Sequence, residues 1–425
     1  MDVLKLSLSF ENYSIMFKNI FKNIGPGPLV AAAFIGPGTV TVCTLAGVGF
    51  GYSLLWAMTL AIIFTVVLQE MSARLGLISQ KGLSETIRSE IKHPVAKVFA
   101  VVLILSAIVV GNAAYEAGNI SGGVLGLETI IGNPSFDIGS VSVNGLSILI
   151  GIIAFVLLYL GNYKVLERVL ITLVILMSLA FIITAIMTKP NLVAVFKGAF
   201  IPKFPEESLL TIIALVGTTV PPYNLFLHAS LVKEKWHDKK DLKHVRKDTF
   251  IAVIFGGIVS MCIMMAGVSI QATEVSNASD LAKGLEPLFG SYAKYFLSIG
   301  LFAAGITSAI TAPLAAAFVA NGCLGWKSNL KSKKFRAVWM VILILGILFS
   351  SLGIKSIEII KFAQVANGIL LPVIAGFLIW IMNKSSLLGD NKNTTTQNVF
   401  GFAILAISIL LSVATLNKVF HLNIF

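Results

Sequence analysis

AAAFIGPGTVT (31–41) carries a helix breaker, Gly36-Pro37-Gly38, in the middle of an almost unbroken apolar stretch. What that break means depends on the solvent. The chain has 425 residues, 56% of them apolar and 12% charged, with a mean hydropathy of +0.91. Soluble domains run near 25% charged residues, so this chain belongs in a bilayer. Lipid offers no partner to an unpaired amide or carbonyl. A break within a span is therefore tolerated only where the backbone is buried in protein or lines a cavity. Gly36 and Gly38 admit close approach, and Pro37 removes a donor. A plain proline kink is the alternative.

The break has an echo. ALVGTTVPPYNLFLHAS (214–230) is interrupted by Gly217, two threonines and Pro221-Pro222. Apolar stretches long enough to span fall at 28–50, 53–77, 96–126, 144–162, 165–187, 207–231, 249–272, 290–323, 337–354, 358–382 and 397–416. The two interrupted spans are thus the first and the sixth. Broken spans at matching places in two halves point to an inverted-repeat carrier with its site at the midplane. The expected layout is a cytoplasmic lead-in (1–27), repeat 1 (28–187), repeat 2 (207–382), and an eleventh helix with the C-terminus (397–425).

Charge sets orientation. With the N-terminus inside, 24 of the 32 Lys and Arg residues fall in cytoplasmic segments, as the positive-inside rule requires. The expectation is an N-in, C-out multi-pass protein of a bacterial inner membrane. The net charge of +12 then answers to topology and not to nucleic acid. KEKWHDKKDLKHVRK (233–247) faces anionic lipid headgroups. Cys43, Cys262 and Cys323 have no CxxC spacing and read as small hydrophobes. No nucleophile–base pair or metal-ligand cluster marks an enzyme. GVGFG (47–51) follows no strand and is not a phosphate cradle. No cofactor and no obligate protein partner is expected.

Several stretches resemble one family. GPGPLVAAAFIGPGTV, GVGFGYSLLWAM and LQEMSARLGLISQKGLSE are similar to the first two spans of the Nramp divalent-metal transporters. PPYNLFLHASLV resembles their sixth span and AQVANGILLP their tenth. The resemblance implies an all-α, LeuT-type 5+5 inverted repeat with discontinuous helices 1 and 6, eleven transmembrane helices and alternating access. It also implies that Gln364 faces the site. The family's metal motif, Asp-Pro-Gly-Asn in span 1, is matched here by Gly36-Pro37-Gly38-Thr39. Its Met-Pro-His-Asn in span 6 is matched by Pro221-Pro222-Tyr223-Asn224. The resemblance therefore implies a divergent member whose transition-metal ligands are not retained.

What remains at the breaks is neutral. Half-helix N-termini offer free N–H groups and a positive dipole end. Gly36, Gly38, Thr39, Thr41, Thr218, Thr219, Pro221, Tyr223, Asn224 and Gln364 are the candidate substrate-binding residues. Donors without an acid suit a small inorganic anion such as bicarbonate. Sodium is the candidate coupling ion, held by Thr307, Ser308 and Thr311 of span 8 and by carbonyls near Ala33 or Ile35, as resemblance to sodium-coupled LeuT-type carriers suggests. Threonine back-bonding and tight helix packing are the competing readings of those hydroxyls. Glu116 and His228 are candidates for a proton or charge role, either as a pair or separately. Glu116 also favours the alternative function, a divalent cation transporter for Mg²⁺ or Mn²⁺, with a channel as a more distant one.

Overall fold

The computed structural model describes residues 35–132, 134–138, 141–161, 164–270, 275–326 and 330–422. Their principal helices are α1 (Pro37–Phe50), α2 (Leu55–Ser79), α3 (Leu83–Glu90), α4 (Pro94–Ile131), α5 (Gly145–Leu160), α6 (Lys164–Met187) and α7 (Leu192–Phe200). There follow α8 (Leu209–Thr219), α9 (Pro222–Lys235), α10 (Leu242–Val268), α11 (Ala293–Leu324), α12 (Lys333–Ser351), α13 (Ser356–Met382) and α14 (Thr395–Phe420). A hairpin of β1 (Ser135–Ile138) and β2 (Val141–Asn144) joins α4 to α5, with Ser135 opposite Asn144.

Among the described residues nine helical stretches are long and apolar enough to cross a membrane. The first of the nine runs through both α1 and α2, which a 3₁₀ turn separates. The span expected at 144–162 is the 16-residue α5, about 24 Å of helix against a ~30 Å hydrocarbon core. The hairpin and the short helices α3 and α7 lie outside the eleven expected stretches. They are too short or too polar to register as spans. The half of span 1 that would precede the break lies outside the described residues, as does Ala33. Where description begins, Gly36 is the N-cap of α1 and Pro37 its first residue. The break in span 6 separates α8 from α9 at Val220-Pro221.

Helix α4 is the spine. Pro94 starts it, where a missing N–H costs nothing. Gly132, at φ +79, ends it. Packing against it depends on small residues, which let backbones approach where no hydrophobic force favours helix pairing in lipid. A Cβ on Gly118 would lie 2.9 Å from the Cβ of Ala363 in α13. One on Gly305 of α11 would lie 2.6 Å from the backbone nitrogen of Gly123. Large exposed apolar side chains cover the outer faces, for example Val95, Val98, Phe99 and Val102 of α4 and Phe400, Phe402 and Leu410 of α14. The three cysteines are buried free thiols.

At one end of α2, Glu70 and Arg74 form the ion pair that their i,i+4 spacing predicts, at 3.0 Å. The pair is part of a larger knot. Arg74 is buried and also donates to the Asn391 carbonyl at 2.6 Å and to Asn393 Oδ1 at 2.8 Å. Glu70 accepts from Arg246 of α10 at 2.8 Å. One guanidinium thus ties α2 to the segment between α13 and α14. Arg74→Met is expected to destabilise the folded protein by about 3 kcal/mol, because Asn391 and Asn393 lose a buried charged donor. Thermal unfolding in detergent, read against Arg246→Met at the exposed rim, checks this.

Candidate functional site

The site is built where the start of α1 meets the end of α8. The two elements are clasped by the Thr39 and Thr218 hydroxyls, 2.8 Å apart. Helix α13 closes a third side. A Cβ on Gly38 would lie 2.2 Å from Gln364 Nε2, and one on Gly217 would lie 1.9 Å from the Gln364 carbonyl oxygen. At Gly217 the obstacle is backbone and only glycine fits, whereas at Gly38 it is the amide end of the Gln364 side chain. Helix α11 contributes Ser308, whose hydroxyl would lie 3.0 Å from a Cβ on Gly36. Helix α4 contributes Gly122, on which a Cβ would strike Pro37. Gly36, Gly38, Thr39, Thr218, Ser308 and Gln364, singled out in the sequence, therefore come together around one point.

Several buried polar atoms on these elements are unpaired, most of them oxygens. Gln364 Oε1, Ser308 Oγ, Thr41 Oγ1 and both polar atoms of the Asn224 carboxamide have no hydrogen-bond partner among the described residues. A buried amide or hydroxyl left unpaired costs about 1–3 kcal/mol. The backbone adds to this set. Pro221 and Pro222 have no N–H, so the carbonyls of Gly217 and Thr218 lack the donors four residues ahead that a continuous helix would supply. At the far side of the break, Asn224 N donates to the Pro221 carbonyl at 2.9 Å and starts α9.

Other candidates stand apart from this point. Thr219 donates to its own helix, to the Leu215 carbonyl at 2.8 Å, and its carbonyl accepts from Thr65 of α2 at 3.3 Å. The buried Tyr223 ring packs against Tyr115 of α4, with ring centroids 5.2 Å apart. Thr307 and Thr311 donate to the carbonyls of Ala303 and Thr307, both at 2.8 Å, so their hydroxyl protons are already used within α11. Ile35 is buried immediately before the break.

Glu116 and His228 do not pair. Glu116 is buried against Gly346 of α12 and accepts from Asn119 at 3.3 Å, and its Oε1 has no partner among the described residues. His228 Nδ1 lies 2.7 Å from Gln69 Oε1 of α2. Nothing in the sequence reading had singled out Gln69 or Tyr115. Gln69 lies one residue before Glu70 in the quoted span 2 segment, and Tyr115 adjoins Glu116, so proximity to marked residues was the available signal. Among the described residues no three His, Cys, Asp or Glu side chains group closely enough to hold a metal ion by themselves.

Comparison with known proteins follows the fold. A sequence profile described as "Natural resistance-associated macrophage protein-like" matches residues 27–418. A protein of Klebsiella pneumoniae named divalent metal cation transporter MntH is 28% identical over 400 residues, covering 92% of each chain. The crystal structure of the manganese transporter of Eremococcus coleocola superposes with a TM-score of 0.73 at 18% identity, over 95% of this chain and 87% of that one. Mhp1, a nucleobase-cation-symport-1 family transporter, has a TM-score of 0.56 at 14% identity, over 93% of each chain.

These relatives overturn the expectation of an importer of a small anion, bicarbonate, coupled to sodium. The curated relative that matches nearly end to end is named for divalent metal cations. The expected inorganic anion partner falls with it. The physical error was to weigh the donors of the half-helix N-termini and to overlook the acceptors. The carbonyls that Pro221-Pro222 leave without donors lie at the C-terminal end of α8, the negative end of its dipole, which favours cations.

Proposed function

The chain belongs to the Nramp family of membrane transporters, and from that premise we propose that it carries a divalent metal cation by alternating access. The observation that carries the proposal is the freed acceptor set. Gln364 Oε1, Ser308 Oγ and Thr41 Oγ1 are unpaired beside the junction of α1 and α8, Asn224 Oδ1 is unpaired at the start of α9, and the Gly217 and Thr218 carbonyls at the end of α8 face prolines that offer no donor. All are hard, neutral oxygens. Such ligands suit a hard cation that keeps several of its waters. They give no thioether or thiolate preference for soft transition metals. Mg²⁺, or Mn²⁺ without strong selection against Mg²⁺, is the cargo this chemistry favours.

A cation in a neutral cage still needs compensating charge nearby. Glu116 is the acid placed to supply it, on the helix whose Gly122 touches Pro37. His228, beside Gln69 on the far side of the break, is the candidate proton partner. We further propose the eleven-helix, N-in, 5+5 arrangement and a bacterial inner membrane. The charge asymmetry and the two broken spans support these.

Purified protein in proteoliposomes tests the reading, with uptake of Mg²⁺, Mn²⁺ and labelled bicarbonate measured in parallel. Saturable Mg²⁺ or Mn²⁺ uptake is expected. Bicarbonate uptake without either cation would overturn it.

A further inference from the structure

A cavity of ≈320 Å³ opens between the far end of α1, the start of α13 and the segment that follows α10. Leu45, Val48 and Gly49 form its α1 wall, Ser276 its third side, and Lys355, Glu358 and Lys361 its charged side. It is distinct from the central site yet shares both of that site's helices. Leu45 lies six residues along α1 from Thr39, about 9 Å. Lys361 lies one turn along α13 from Gln364, about 4.5 Å. The cavity is therefore walled by the same two helices, α1 and α13, that meet at the junction.

Its charge is unexpected for a cation path. One carboxylate faces two ammonium groups. Lys361 Nζ donates to both Glu358 oxygens at 3.2 Å. Both side chains are about half exposed, 46% for Lys361 and 56% for Glu358. An ion pair in so wet a place is weak and exchanges readily. A divalent cation entering the cavity meets a carboxylate already occupied by a monovalent and displaceable charge.

We propose that Glu358 is the entry site for the cation and that Lys361 is its built-in competitor, which the arriving cation displaces. The inference rests on the divalent-cation reading above. In the resting state Lys361 holds the carboxylate and keeps the mouth net positive, which slows cation arrival and weakens loading from dilute solution. A divalent ion outcompetes the ammonium by charge, whereas Na⁺ or K⁺ has no such advantage. The pair thus discriminates by valence before the central site discriminates by ligand. Electrostatic focusing at a cleft changes capture rates by roughly 10- to 1000-fold. An exposed single charge falls at the low end of that range.

The test is initial-rate uptake of Mg²⁺ and Mn²⁺ into proteoliposomes at low and high ionic strength, for wild type, Glu358→Gln, Glu358→Asp and Lys361→Gln. Glu358→Gln is expected to raise KM by roughly tenfold at low salt, leaving the maximal rate unchanged. Glu358→Asp should retain most of the wild-type KM. Lys361→Gln should lower KM severalfold and weaken the preference for divalent over monovalent competitors. High salt should shrink every difference. If wild type takes up the cation and Glu358→Gln leaves KM alone, the entry site is wrong and the transport reading stands. If Lys361→Gln raises KM as Glu358→Gln does, the pair is a structural strut and the competitor role is wrong. Wild type that takes up no divalent cation removes the premise itself and with it this inference.

Discussion

Gln364→Leu is expected to reduce divalent-cation uptake by roughly 10- to 100-fold, with the protein still folded and inserted. The side chain is buried, its Nε2 packs at Gly38, and its Oε1 lacks a partner among the described residues. A contact to a charged group is worth about 1.5–3 kcal/mol, and each 1.4 kcal/mol is tenfold. Leucine is close in size, so the packing beside Gly38 is largely kept. The lost oxygen is then the main change. Gln364→Glu is the informative partner. It keeps the oxygen and adds charge where the cage has none, and it should preserve or tighten cation binding. Transport and equilibrium binding by calorimetry are read together. If Gln364→Leu binds and carries Mg²⁺ and Mn²⁺ as wild type does, this carboxamide is not a ligand.

Gly217→Val should have the largest effect of all. A Cβ there would lie 1.9 Å from the Gln364 carbonyl oxygen and 2.7 Å from Gly368 N. The obstacle is backbone, which no rotamer change relieves. Overpacking a core ordinarily costs about 1–3 kcal/mol, and a β-branched side chain against main chain exceeds that range. Helices α8 and α13 must separate, which pulls the Thr218 carbonyl and Gln364 away from one another. The expectation is little monodisperse protein after extraction and no measurable uptake from what remains. Gly376→Ala, on the facing helix α13, is the control. Its Cβ would meet only Leu405, at 3.9 Å. It should be neutral or gain up to about 1 kcal/mol from helix propensity. Normal yield and transport for Gly217→Val would refute the close contact between α8 and α13.

The part of the architecture that depends on local chemistry was legible in the sequence. Pro221-Pro222 cannot continue a helix, and α8 and α9 part there. Gly36-Pro37 suits a helix start, with Gly36 as N-cap and Pro37 at the first position, and α1 begins there. The gathering of Gly36, Gly38, Thr39 and Thr218 follows from the start of α1 packing against the end of α8, joined by the Thr39–Thr218 hydroxyls. The partners from α11 and α13 were harder. Nothing in the local pattern of Ser308 distinguishes it from Thr307 or Thr311. Only the packing shows that the threonines bond within their helix and that Ser308 faces Gly36. The sign of the site's cargo was read wrongly for a similar reason. A proline's effect on the carbonyl four residues earlier is not written at the proline. The side chains at 36–39 and 221–224 are explicit in the sequence, whereas the carbonyls at 217 and 218 are altered by prolines four residues further on. The hairpin at 135–144 escaped because two four-residue strands leave no periodic signature between apolar helices.

The two halves of the broken sixth span share α2 as a neighbour, through Thr65 on the Thr219 carbonyl for α8 and through Gln69 for α9, and differ in their other contacts. Helix α9 is bound to α2 by the His228–Gln69 contact, by the Ser72 hydroxyl on the Leu225 carbonyl, and by Gly76 set against the Ala229 backbone. Helix α8 is bound to α13 through Gly217 and Gly368. The two halves meet at Val220-Pro221, where Pro221 and Pro222 supply no N–H to the carbonyls four residues earlier. Bending an intact helix there would break hydrogen bonds in lipid. Here Pro221 and Pro222 have already removed the donors, so the joint flexes without that penalty. The carbonyls left over are the same ones offered to the cargo. On the proposed reading, a bound ion that draws them together would stiffen the joint and so couple occupancy to angle through two oxygens.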